Sequence, residues 1–267
     1  MSLFCGILYP VNPARQVFDL RAAIYDDLFT GSQIRSEIWK IADRFILPGM
    51  HLLDLGCGTG DDAVHFARRS VRVTAVDVSP AMIARLKLKC DQMIHCEEAD
   101  MRTYCPGGLR FDSVFSNLSA LNYVSDLSWL SRLCLSAGSH VVLTTLGRFY
   151  PLESLIFLAK GKPRLAFHRF GRLGETIIDG MHFNIYYHSI RAIQDALGPK
   201  FELKELTGLR CLRPIRDLEH LERFRMIRLM KPLDRWLCSH RLTAVCSDQF
   251  VSVWQYHGTL ATSRHPH

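Results

Sequence analysis

Residues His51 to Asp62, HLLDLGCGTGDD, crowd glycines and carboxylates into one short run. Gly56, Gly58 and Gly60 permit a tight turn and let a ligand approach the backbone closely. A helix starting just behind them offers unpaired N–H groups. A pyrophosphate fingerprint would be G-x-G-x-x-G. Here Gly60 comes one residue early, and Asp61 and Asp62 follow. Carboxylates repel a pyrophosphate and suit a ligand carrying positive charge. Asp54, just ahead of the turn, points toward an ammonium group. Asp77 ends the run VRVTAVD, and a carboxylate at such a strand end accepts hydrogen bonds from a ribose diol. The chemistry predicted is recognition of a cationic ribonucleoside.

The elements that position these groups follow from periodicity. Strands are predicted at 51–55, 71–77, 93–98, 111–116, 140–145, 201–206 and 249–256. Val17, Leu20, Ile24 and Leu28 predict an N-terminal helix, and Ile34, Ile38, Ile41 and Phe45 a second. Ser79 caps a helix to about Lys89, with Pro80 at its first position. Helices are also expected at 126–137, 151–160, 189–197 and, interrupted by Pro232, at 216–236. Glu175 to Tyr187 reads as a hairpin around Asp179-Gly180.

The run LLDLGCGTGDDAVHFARRSVRVTAVDVSPAMIARLK resembles class I S-adenosylmethionine-dependent methyltransferases. The resemblance extends from about Ala22 to Thr145 and fades beyond. It implies an α/β, Rossmann-like, doubly wound fold: a seven-stranded, mostly parallel sheet whose last strand is antiparallel at the edge. It implies an arm and helical lid over 1–46, and a cofactor-binding domain over 47–267 with a cap inserted at about 147–188. S-adenosyl-L-methionine is the implied cofactor, carrying a ribose, an ammonium and a sulfonium. By resemblance its site comprises Asp54, Gly56, Cys57, Gly58, Gly60, Asp77, Val78, Met82, Asp100, Met101 and Asn117. Met82 packs on the adenine, Asp100 meets its amino group, the Met101 N–H meets a ring nitrogen, and the backbone or amide of Asn117 meets the ammonium. Tyr25 and Arg35, on the leading helices, are candidates for the methionine end, the alternative being a packing tyrosine and a solvated arginine. Relatives that methylate DNA bases or glutamine amides carry N-P-P-Y or D-P-P-Y at Asn117; this chain has NLSA, which counts against that chemistry.

Methyl transfer asks mainly for positioning, and a general base helps a hydroxyl or weakly acidic acceptor. In MHFNIYYH, His182, Asn184, Tyr186 and His188 share one strand face. His188 is the first candidate base and Tyr186 the second; a hairpin face turned to water is the alternative. The expected function is methyl transfer to a small, apolar or amphiphilic molecule. The alternatives are aminocarboxypropyl transfer or cyclisation of the same cofactor, RNA methylation, and a partner protein that binds cofactor without turnover.

Composition bounds the rest. The chain has 267 residues and a formal charge of +7, which permits acidic partners without requiring them. Nothing resembles an appended RNA-binding domain, which disfavours nucleic acid. The apolar 151–160 and basic, aromatic 161–172 segments suit a lipid surface or an apolar substrate, unless they are a solvated face. Nine cysteines without a C-x-x-C pair predict free thiols in a reducing, cytoplasmic setting and no metal site. No run approaches the roughly 18 apolar residues of a membrane span.

Overall fold

The computed structural model describes residues 13–29, 33–178, 180–213 and 225–258. Two short helices, α1 (Pro13–Arg21) and α2 (Tyr25–Phe29), precede α3 (Gln33–Ala42). The α/β body follows as β1 (His51–Leu55), α4 (Asp61–Ala67), β2 (Arg72–Asp77), α5 (Pro80–Lys87), β3 (Ile94–Glu98), β4 (Phe111–Ser116), α6 (Leu130–Ser136) and β5 (Ala137–Leu146). The segment expected to be a cap holds α7 (Pro151–Ala159), α8 (Pro163–Ala166) and the hairpin β6 (Leu173–Ile178) and β7 (Met181–Tyr186). The chain returns through α9 (Ile190–Leu197), β8 (Phe201–Leu209), α10 (Arg225–Ser239), α11 (Arg241–Ala244) and β9 (Gln249–Tyr256). Among the described residues no helix is long and apolar enough to cross a membrane.

Seven strands form one sheet in the order β3-β2-β1-β4-β5-β9-β8. The first five are parallel, and β9 runs antiparallel to both β5 and β8. The last strand is therefore not at the edge, as expected, but inserted between β5 and β8. Its residues agree: Phe250, Val251, Val253 and Trp254 are buried, as a strand with neighbours on both sides requires. One apolar layer packs α6 and α9 on the sheet through Leu130, Leu133, Ile193 and Leu197. The other packs α3, α4 and α5 through Ile38, Phe66 and Leu86. The strand order reverses between β1 and β4, which opens a crevice at their carboxyl ends.

Two helix expectations are corrected. The first helix breaks after Arg21, so its stripe does not run on: Val17 is buried, but Leu20 is 69% and Ile24 50% exposed. The helix expected from Asp126 begins only at Leu130, because Asp126 accepts the Ser128 N–H at 2.9 Å and holds a turn. Ser79 caps α5 as predicted, accepting the Met82 N–H at 3.1 Å. The start of the helix expected at 216–236, including 216–224, lies outside the described residues.

Candidate active site

A cavity opens at the crevice, lined on the sheet side by Gly56, Cys57, Gly58, Asp77, Val78, Met82, Asp100, Met101 and Asn117. Four strand ends thus bring nine of the residues singled out in the sequence to one cavity. Gly56 takes a left-handed φ of +71°, and a Cβ there would sit 2.6 Å from Ala120 Cβ. No other residue fits that turn. Asp77 holds the glycine loop directly: its carboxylate accepts the Gly58 and Ser79 N–H groups, each at 2.9 Å. Burial pushes the Asp77 carboxyl up, and those two donors pull it back.

The lid side of the cavity is made by Ala14, Phe18, Arg21, Tyr25 and Arg35. Tyr25 and Arg35 thus line the same cavity as the glycine turn. Phe18 packs edge-on against both Tyr25 and Tyr123, with centroids at 6.4 and 5.2 Å. The three rings form one aromatic wall. Phe18, Arg21 and Tyr123 were not anticipated, because the α1 stripe identified Val17 and not the residue beside it.

Acidic groups gather at the cavity floor. Asp62 lines it and is fixed from three sides. Asn117 Nδ2 donates to both its oxygens at 3.1 Å, Trp39 Nε1 donates at 2.7 Å, and Arg35 Nε lies 3.7 Å away. The Asn117 side chain is spent on Asp62 and, through Oδ1, on the Leu118 N–H. Leu118 and Ser119 both take positive φ, 47° and 64°. For residues with a Cβ this is strained backbone of the kind found at ligand sites.

Asp54, Asp61 and Gly60 are placed differently from expectation. Asp54 does not line the cavity; it is buried, and among the described residues its Oδ2 has no hydrogen-bond partner. Burial, then the charges of Asp62 and Asp77, raise its pKa well above the ordinary value. Asp61 pairs with Arg35 and, at 2.8 Å, with Lys89, so its charge answers protein cations rather than a ligand. For Arg35, burial opposes the charge, but Asp62 and Asp61 outweigh it and raise its pKa. Gly60 faces away: a Cβ there would collide with Leu86 of the core. Asp100 lines the cavity, yet Arg102 chelates its carboxylate at 2.6 to 3.0 Å.

The candidate bases separate. His188 is buried away from the cavity. Its Nε2 lies 2.9 Å from the Val124 carbonyl and 3.2 Å from that of Leu121. Carbonyls only accept, so this nitrogen carries the proton and locks the ring in place. Burial lowers its pKa. Strand alternation fails at His188 because β7 ends at Tyr186. Tyr186 instead lines a recess with Glu175, His182, Phe183 and Asn184. Ala14 and Tyr123 line both this recess and the cavity. The buried Asn122 ties the hairpin down, donating to the Tyr186 carbonyl at 2.7 Å and accepting the Leu146 N–H at 2.9 Å.

Residues 52–134 match the family described as "Methyltransferase domain". Over these residues, on this fold, the chain resembles a methyltransferase domain. The chain is 34% identical over 118 residues to a ubiquinone biosynthesis O-methyltransferase of Xanthomonas campestris pv. campestris, covering 40% of this chain and 48% of that one. It is 34% identical over 100 residues to a carboxy-S-adenosyl-L-methionine synthase of Vibrio campbellii, covering 32% and 41%. The chain thus spans about half the length of these curated relatives, or less. Among solved structures, an S-adenosylmethionine-dependent methyltransferase from Mesorhizobium loti superposes with a TM-score of 0.53 at 19% identity, covering 83% of this chain and 99% of that one. Magnesium protoporphyrin IX methyltransferase from Synechocystis, with S-adenosylmethionine bound, gives 0.54 at 15%, covering 94% and 100%. These two likenesses concern the fold.

Proposed function

We propose that this protein binds S-adenosylmethionine in the crevice cavity and transfers its methyl group to a small molecule held in the adjoining recess. The residues present suit that cofactor. Asp77 offers acceptor oxygens to a ribose diol, and Asp62, with the buried Asp54, offers negative charge to an ammonium. Val78, Met82 and Met101 offer apolar surface to a base, with Asp100 at its edge. Bound there, the cofactor supplies an electrophilic methyl group on a sulfonium. The protein's own residues position the acceptor, exclude water and take up its proton.

The observation that carries this reading is the wall of Ala14 and Tyr123 common to cavity and recess. It puts the polar β7 face beside the cofactor site, where an acceptor belongs. On that face His182 replaces His188 as the candidate base, with Tyr186 and Glu175 lining the same recess. Leu155, Phe167 and Phe170 are exposed on the neighbouring α7–α8 segment. Together with Lys160, Lys162 and Arg164 they favour an amphiphilic acceptor, taken up from an anionic lipid surface by a protein acting in the cytoplasm.

Similarity to carboxy-S-adenosyl-L-methionine synthases supports a second reading, in which the cofactor itself is the substrate. Mass spectrometry separates the two. Methyl transfer predicts a methylated acceptor and S-adenosylhomocysteine in equal amounts from a panel of phenols, amines and lipids. A modified cofactor formed with no acceptor present would instead establish the second reading.

A further inference from the structure

Far from the cavity, the end of β8 and the helix α10 bring together three groups that the mechanism does not use. Cys211 follows β8, while Asp234 and Cys238 stand four residues apart on one face of α10. All three are buried, and their ligating atoms lie within 4.8 Å of one another. The two sulfurs are 3.3 Å apart, and Cys238 Sγ is 3.9 Å from Asp234 Oδ1. A tetrahedral zinc ion with its usual bond lengths holds two sulfurs about 3.8 Å apart and a sulfur and an oxygen about 3.5 Å apart. Those two separations are each within about half an ångström of that geometry.

We propose that Cys211, Asp234 and Cys238 bind a structural zinc ion, independently of the proposed methyl transfer. The carboxylate is oriented as metal ligands are, by hydrogen bonds from its outer side. Asp234 Oδ1 accepts the Leu212 N–H at 2.6 Å, and Oδ2 accepts Arg213 Nε at 2.8 Å. Charge balances as well. Two thiolates and a carboxylate carry three negative charges, which a divalent ion and the Arg213 guanidinium cancel. Thiolate ligands select zinc over the hard divalent ions. Access exists, because Asp234 and Cys238 also line a cleft between α3, β8 and α10. A water completes the tetrahedron. A disulfide between Cys211 and Cys238 would use only the sulfurs; the inward carboxylate favours the ion.

The site fastens α10 to the sheet. Arg213 also pairs with Glu37 of α3 at 2.9 Å, and α3 carries the Arg35 and Trp39 that hold Asp62.

The test uses the full chain, untagged and purified without chelator. Elemental analysis should find one zinc per chain. Replacement by cobalt should give the near-ultraviolet charge-transfer band of thiolate coordination. Asp234→Asn should weaken retention and Cys238→Ser abolish the band, while Cys105→Ser, at an exposed thiol, leaves it unchanged. The cobalt spectrum of the unaltered protein decides even where a variant misfolds. Failure to retain zinc or cobalt after exposure to excess ion and desalting overturns the proposal. So does recovery of a Cys211–Cys238 disulfide from metal-free protein that cannot take up cobalt after reduction. Neither result bears on cofactor binding.

Discussion

At the scale of single residues, the site stores protons. Burial raises the pKa values of Asp54, Asp62 and Asp77 above the ordinary 3.8. Between that value and the raised ones, the folded chain holds more protons than the unfolded one. Stability of the ligand-free protein therefore falls as pH rises through this window and is greatest below it, as far as these groups decide. Denaturant titrations across pH should show the fall, and Asp54→Asn should flatten it; a profile unchanged by Asp54→Asn would contradict the assignment. A cationic ligand favours the ionised carboxylates, so its binding should expel protons and tighten as pH rises. Calorimetry in buffers of differing ionisation enthalpy reads that release. The histidines make a second pair of predictions. His188→Ala strands two buried carbonyls and should cost about 1–3 kcal/mol of stability, with the pH profile of turnover preserved in the folded fraction. His182→Ala should leave stability nearly unchanged and lower turnover by about 10²-fold or more, the range of general-base catalysis. Equal turnover in His182→Ala and the unaltered enzyme would remove His182 from the mechanism.

At the scale of elements, buried charge joins the cap to the sheet. Arg169, in the basic stretch that sequence reads as a surface, is 7% exposed. It donates to Glu153 of α7 at 2.6 and 2.9 Å and to the Asp248 carboxylate at 2.9 Å, just before β9. Its guanidinium also lies 5.4 Å from the Tyr150 ring and 5.7 Å from that of Tyr187. Arg169→Ala leaves two carboxylates buried without their cation. The expected loss is about 3–5 kcal/mol, read as a lowered Tm; a shift of under a degree would show the pairs to be dispensable. Such networks explain what was legible in the sequence. The Gly56–Gly60 turn, the Asp77 strand end and the Ser79 cap are local, and period and turn chemistry specify them. Arg169 with Asp248, Cys211 with Cys238 and the His188 carbonyl pair join residues far apart in the chain, where spacing carries no signal. The inserted position of β9 likewise follows from pairing partners, not from its own alternation.

At the scale of the whole molecule, one mostly parallel sheet sets a crevice at its carboxyl ends, and three separate segments close over it. The lid contributes Phe18, Tyr25 and Arg35, the β4 turn contributes Tyr123, and the hairpin contributes the recess. On the proposed reading, this division explains why the resemblance is strong over the half that would hold the cofactor and fades in the segment that would choose the acceptor. The account stands on the crevice binding S-adenosylmethionine, with Asp77 as the ribose acceptor. Isothermal calorimetry with S-adenosylmethionine and S-adenosylhomocysteine, on the unaltered protein and on Asp77→Ala, tests it most directly. One site should bind each ligand, and the variant should lose about 10²-fold in affinity, as expected for one or two charge-assisted hydrogen bonds. No heat from either ligand at millimolar concentration, or equal affinity in a folded Asp77→Ala protein, would contradict the account.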